Sequence, residues 1–187
     1  MVYPHARTWG STHEERQLPF PCDRHLPDHD DAVYRAVDVD APAPVVFRWL
    51  CQLRVAPYSY DWIDNFGRRS PRRLTPGVDE LEVGQRLMGF ELVEFEKHRH
   101  LTLCGTALGP LFGTYAVTYL IIPSTDQRCR LVVKLVAAYT RLALLRCPMR
   151  RLGPLADFIM MRKQLLTLKR LAERGAAVAH DENALHL

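Results

Sequence analysis

The spacing of apolar positions changes several times along the chain, and each change marks an element. Val33, Val37 and Val39 lie on one face of a strand spanning Val33–Val39. Ala41-Pro42-Ala43-Pro44 ends it and primes a helix from Val45 to about Leu53, where Val46, Trp49, Leu50 and Leu53 recur at helical spacing. Tyr58 to Asn65 reads as a second short helix, with Tyr58, Tyr60 and Trp62 at its start, followed by a basic loop, Arg68 to Pro76. From Gly84 onward the period is two. One strand is expected over Arg86–Glu96, with Met88, Phe90, Leu92, Val93 and Phe95, and another over Leu101–Cys104. Tyr115, Val117, Tyr119 and Ile121 then alternate with Thr114, Ala116 and Thr118. After a turn at Pro123 to Gln127, Leu131, Val133, Leu135 and Tyr139 lie opposite Arg130 and Lys134.

The period returns to helical from Gly153 to Gly175. Phe158, Met161, Leu165, Leu168 and Ala172 form one stripe, and Arg162, Lys163, Lys169, Arg170 and Arg174 fall on the other side. Pro154 suits a first helical position, Asp157 the first turn, and Gly175 a left-handed cap. Met161, bordered by Met160, suits a stripe that lines a space along part of its length. Antiparallel hairpins in series, with helices early and last, predict an α+β fold. At 187 residues one domain is expected: an irregular arm over 1–31, a body over 32–175 and a flexible tail over 176–187.

Charge changes this picture at the two ends. Residues 1–40 carry eight acids against four arginines, and residues 141–174 carry nine bases against two acids. The expectation is that the two ends pair within the molecule, the alternative being an acidic partner for the basic end. Five cysteines without a CxxC pair point to reduced thiols and a cytoplasmic protein. Met1 to Gly10 has no apolar core of a signal peptide. The uncharged stretch Leu101–Thr125 is interrupted by Gly105, Gly109, Pro110 and Gly113, which favours sheet over a membrane span.

A family resemblance adds to this reading. It is carried by Tyr34-Arg35-Ala36-Val37-Asp38-Val39-Asp40-Ala41-Pro42 running into Val46-Phe47-Arg48-Trp49-Leu50, and by the segment Tyr58 to Asn65. Val83-Gly84-Gln85 and Asp157 to Leu166 complete it. Together, from about Glu15 to Glu173, these resemble the SRPBCC (START-like) superfamily, in its polyketide cyclase/dehydrase-like branch. The resemblance implies a helix-grip fold, a curved antiparallel sheet wrapped around a long C-terminal helix. That superfamily spans lipid carriers, hormone receptors and cyclases, so fold does not select among them.

Three readings of function follow. The first is a protein that binds a hydrophobic molecule (aromatic, polyketide-like or lipid-like) between sheet and helix. The second is a cyclase or dehydratase, a lyase or isomerase using the same cavity, and the third an interaction module with a filled core. Residues expected at a ligand are Trp49, Tyr58, Trp62, Phe90, Leu103, Tyr115 and Val117, with Tyr119, Leu135, Tyr139, Phe158, Met161 and Leu165. Asp61 and Tyr60 are the catalytic candidates, Asp61 as a base or ligand-orienting group; its bland alternative is a local cap or an ion pair with Arg54. Cys22, His25 and His29, with Asp28 near, make only part of a zinc pattern, so no metal and no cofactor is expected. His98 and His100 are expected in a solvated turn. Arg68 to Arg73 lacks stacking aromatics, which argues against nucleic acid. Arg141 to Arg151 reads as an ordinary connection, with a lid or a membrane-surface contact as the less favoured alternatives. No G-x-S-x-G, H-E-x-x-H, G-x-G-x-x-G or P-loop is present, which disfavours hydrolase, zincin, dinucleotide and nucleotide-triphosphate chemistry.

Overall fold

The structure, a computed structural model, describes residues 4–65, 67–106, 113–140 and 142–184, without the side chains of residues 4, 143–145 and 179–184. Gly109, Pro110, Arg141, the Leu144 and Leu145 side chains and the end of the expected tail lie outside the described residues. The body is one antiparallel six-stranded sheet in the order β1-β6-β5-β4-β3-β2. The strands are β1 Asp31–Val39, β2 Arg86–Leu87, β3 Phe90–Glu96, β4 His100–Gly105, β5 Thr114–Thr125 and β6 Arg128–Ala138. A long C-terminal helix, Ala143–Ala184, packs across the sheet's inner face. This is the expected α+β, helix-grip-like arrangement. No helix among the described residues is long and apolar enough to cross a membrane.

Register fixes which side chains meet that helix. Val33 pairs with Leu135, Arg35 with Val133 and Val37 with Leu131, so the core-facing rows of β1 and β6 coincide. The expected single strand Arg86–Glu96 is instead a hairpin. Leu87 pairs with Phe90 across Met88 and Gly89, whose φ values of 53° and 85° suit a two-residue turn of the type that follows strand twist. The strand before the next turn also runs further than expected, through Pro123 to Thr125.

Three short helices, α1 Pro4–Thr8, α2 His13–Arg16 and α3 Pro21–His25, give the expected irregular arm its form. Thr12 and Glu15 close a reciprocal capping box at the start of α2. Phe20 and Cys22 bury themselves against Ala36, Ala116, Val132 and Val136, so the arm makes a second core on the outer face of the sheet. His100 faces this side. It is buried beside Glu94, at 3.3 Å, and is not solvated as expected, because the arm covers it with His25 and Arg24 on the same carboxylate. Cys22, His25 and His29 each have separate partners: the Lys134 carbonyl, Glu94 and the Leu26 carbonyl.

The helix after β1 runs over Ala43–Cys51 (α4) and continues as a 3-10 turn, Gln52–Arg54. The expected helix from Tyr58 shrinks to one turn, Asp61–Asp64 (α5). Tyr58 takes a left-handed φ of 58°, which cannot start a right-handed helix, because its ring is drawn into the core. There it meets Trp49 edge-on at 6.1 Å, and its hydroxyl donates to Gln52 Oε1 at 3.3 Å.

The final helix (α6) corrects four expectations. It begins ten residues before Gly153, so the stretch through Arg151 is helix and not a connection or a lid. Pro148 and Pro154 sit inside it, which removes two backbone donors without ending the helix. Asp157 is accordingly in the helix interior and away from the positive first turn. Gly175 does not cap, because the alanine-rich sequence beyond it carries the helix on to Ala184.

The expected pairing of the two charged ends is largely absent. Glu15 and Asp38 bind Arg130, Asp23 binds Lys134, and Asp40 binds Arg128, all on β6. Asp31 takes Arg7 of the arm itself. Among the described residues only Asp30, with Arg146, joins an arm carboxylate to α6.

Candidate ligand-binding site

The space between sheet and helix follows from the residues that one face of α6 presents. Toward its C-terminal half that face carries Leu165, Leu168, Leu171 and Ala172, all buried. One to three turns earlier it carries Gly153, Pro154 and Met160, with exposed Ala156 at the rim. Gly153 and Pro154 reach less far toward the sheet than the leucines do, and a cavity of about 530 Å³ lies there, within the usual size of a small-molecule site. The sheet contributes Val33, Val117, Leu135 and Ala137, with Tyr115, Tyr119 and Tyr139. Phe90 and Met88 of the hairpin and Pro57 and Ser59 of the loop before α5 close the sides.

Carboxylates enter the described part of this apolar wall at three places. Asp157 receives Arg35 Nη2 at 2.7 Å across the cavity's inner end. Arg35 is 1% exposed and also donates to the Tyr34 carbonyl at 2.8 Å and the Pro154 carbonyl at 3.3 Å, while its Nε has no partner. Burial pushes the Asp157 carboxyl above its ordinary range, with Arg35 opposing, and pushes the Arg35 guanidinium down. At the second place, Tyr139 donates its hydroxyl to Asp31 Oδ2 at 3.1 Å, and Arg7 holds the other oxygen from behind. Burial, then Asp31, raises the Tyr139 phenol well above its ordinary value. The third is Asp64, which accepts from the Ser59 hydroxyl while its Oδ1 is buried without a partner.

A fixed strut crosses between these groups. Tyr119 donates to Gln164 Oε1 at 2.7 Å, and Gln164 Nε2 donates to the Pro57 carbonyl at 2.7 Å. One helix side chain thereby pins β5 and the loop before α5 to α6, and burial raises the Tyr119 phenol so that it stays a donor. The described wall holds Asp31, Asp64 and Asp157 but no lysine, arginine or histidine. Two of these carboxylates are neutralised from outside the cavity by Arg7 and Arg35.

Of the residues expected at a ligand, Phe90, Tyr115, Val117, Tyr119, Leu135, Tyr139 and Met161 come together in this wall. Trp49, Leu103 and Leu165 fill the core beyond it. Tyr58 is core as well, bordering a separate outer pocket. Trp62 is 75% exposed, since the one-turn α5 does not put it on a face with Tyr58. Phe158 turns toward Trp9, 6.2 Å away, and Arg35. Neither Asp61 nor Tyr60 borders the cavity. Asp61 accepts from the Ser70 amide at 2.9 Å and its hydroxyl at 2.5 Å, and Tyr60 lies on the outer side of α6.

Sequence reasoning missed Arg35, Asp31, Asp157, Asp64 and Gln164 as site residues. Arg35 had a readable signal: Val33, Arg35, Val37 and Val39 share one face, so an arginine was written into a core row. Gln164 likewise interrupts the apolar face of α6. Asp64 had none, because its placement depends on the path of the loop.

The same fold is found in solved structures. A Thermobifida fusca protein determined by solution NMR is 16% identical, with a TM-score of 0.53, covering 76% of this chain and 93% of its own. A hypothetical protein from Helicobacter pylori is 17% identical, with a TM-score of 0.51, covering 83% and 95%. StfQ, a di-domain aromatase/cyclase of the steffimycin biosynthetic pathway, is 15% identical with a TM-score of 0.50. That match covers 87% of this chain and 56% of StfQ, little more than half of the di-domain protein. What is shared is the fold. No family model matches the chain, and no curated protein matches it.

Proposed function

We propose that the protein binds an apolar small molecule, aromatic, polyketide-like or lipid-like, in the cavity between sheet and α6. The observation that carries this reading is the cavity itself, about 530 Å³ with a predominantly apolar wall. Its described polar groups are carboxylates, phenols, the Ser59 hydroxyl and the Gln164 amide, with no facing cation, which favours a polar end on the ligand that is not an acid. Shape and the sequence resemblance together support a START-like protein of the polyketide cyclase-like kind.

A matched set of probes tests this. Anthracen-9-ylmethanol, anthracen-9-ylmethylamine and anthracene-9-carboxylate share one ring body and differ in the head group. The alcohol and amine are expected to bind with saturable fluorescence changes, and the carboxylate more weakly. Failure of all three, together with an empty protein in native mass spectrometry, would leave a filled interaction module.

One observation favours the enzyme reading, a cyclase or dehydratase in the same cavity. Asp157 is a wall carboxylate held by Arg35 at 2.7 Å and made more basic by burial, which suits a base that takes a proton from the substrate. Asp157 and Tyr139 then replace Asp61 and Tyr60 as the acid–base pair. Loss of turnover in Asp157→Asn with probe affinity retained would mark an enzyme.

A further inference from the structure

A second concavity, about 250 Å³ and sharing only Ser59 with the apolar one among the described lining residues, lies between α6 and the loop after α5. Lys163, Arg170 and Arg174 recur at helical spacing along α6 and enter its wall from one side, and Arg72 enters from the other. None of the four is ion-paired with a described carboxylate, whereas Lys169, one residue away, holds Glu173 at 2.7 Å. Asp61 is the one carboxylate in the described wall, and both of its oxygens are taken by Ser70.

The one acid at helical spacing from these cations, Glu173, three residues beyond Arg170, is already held by Lys169 and by the Asp40 amide. Of the arm's carboxylates, Glu15 and Asp23 go to β6, Asp31 to Arg7 and Asp30 to Arg146, at the opposite end of α6. Arg170 and Arg174 also stand one turn apart, a like-charge spacing that costs stability in a bare helix. We propose that this pocket is a binding site for a phosphate-bearing anion. Four cations against one committed carboxylate call for a ligand with more than a single negative charge. Phosphate and diphosphate groups supply it, with oxygens that the arginine forks can clasp two at a time.

Inorganic pyrophosphate is the probe, titrated calorimetrically into the full chain at low and high salt. One saturable site is expected, weakening as salt rises. Arg170→Ala with Arg174→Ala should weaken it by about tenfold or more. Arg146→Ala, at the opposite end of α6, should leave it unchanged. The double variant's melting temperature and its affinity for anthracen-9-ylmethanol should match the parent's, separating a lost site from a lost fold. No saturable binding, or equal binding by the double variant, would overturn the assignment. Vesicles of phosphatidylcholine with phosphatidic acid identify the source of the phosphate. Vesicle binding that pyrophosphate competes away points to a lipid head group; pyrophosphate binding without vesicle binding points to a free phosphate-bearing molecule.

Discussion

The two ends of the sheet–helix interface use the same strands and the same helix face, yet one is solid and the other hollow. At the solid end, Leu101, Ile121, Leu131 and Val133 meet Leu165, Leu168 and Ala172, all within 2% of full burial. Trp49, Leu50 and Leu53 of α4 and its 3-10 extension seal the edge. At the hollow end the sheet is equally apolar, but α6 answers it with Gly153 and Pro154. A sheet row of ordinary size facing helix residues of reduced size leaves room that no side chain fills. The hollow end also carries the buried ion pair and the phenol–carboxylate pair, which the solid end lacks. Stability and binding capacity are thus divided along one helix.

The comparison breaks hardest at Arg35. Arg35→Met leaves Asp157 buried without its cation, and the expected cost is about 3–5 kcal/mol in denaturant unfolding. Adding Asp157→Leu should recover most of that, since an apolar pair of similar volume needs no counter-charge. A double variant as unstable as the single would mean that Arg35 acts through its carbonyl contacts on Tyr34 and Pro154.

At the solid end, Leu165→Ala should cost about 2–5 kcal/mol, because a fully buried side chain leaves a void that its neighbours only partly fill. Binding of anthracen-9-ylmethanol by the remaining folded protein should hardly change. A loss of probe affinity equal to the loss of stability would show that the two ends are one cooperative site.

The solid end also has an alkaline signature. Burial pushes the Cys51 thiol and the Tyr58 phenol up to about 12, and the Cys129 thiol to about 11. Unfolded, these groups titrate near about 8.5 and 10. Their contribution is therefore complete below the unfolded values and is lost as pH rises toward 11 to 12, because the unfolded chain sheds protons first. Unfolding midpoints should hold level at neutral pH and fall steadily above about pH 9. In the same window a thiol reagent should modify exposed Cys147 at once, and Cys51 and Cys129 only at the rate of opening. Fast modification of Cys51 in the native protein would contradict a solid end.

Much of this fold was legible because period-two and helical spacing each have one physical cause, a face turned to the core. Val33 to Val39, Leu131 to Leu135 and the stripe from Met161 to Ala172 needed nothing else. The site was half legible. Its sheet side, Tyr115, Val117, Tyr119 and Tyr139, follows from the same alternation, but its polar chemistry does not. Asp61 looked chemical because it sits among aromatics, yet a loop folded Ser70 onto it. Asp157 looked like a helix-start charge because Gly153-Pro154 looked like a start. Local signals at proline and glycine yielded to long-range contacts: α6 runs through Pro154, whose carbonyl Arg35 holds, and through Gly175, which Trp49 approaches to 3.7 Å of a would-be Cβ.

The hollow end makes the smallest demand on stability and the sharpest on binding. Ala137 is buried on β6, opposite Asp31 and Tyr115, and its methyl faces the cavity. Ala137→Leu adds apolar volume where the chain has left space, so stability should change by less than about 1.5 kcal/mol in either direction. The same substitution in a packed core would overpack it by up to about 3 kcal/mol. Anthracen-9-ylmethanol should lose most of its affinity, while pyrophosphate binding at the second concavity stays as it was. A strongly destabilised Ala137→Leu protein would show that the hollow end closes up when empty, and that its walls part only around a guest.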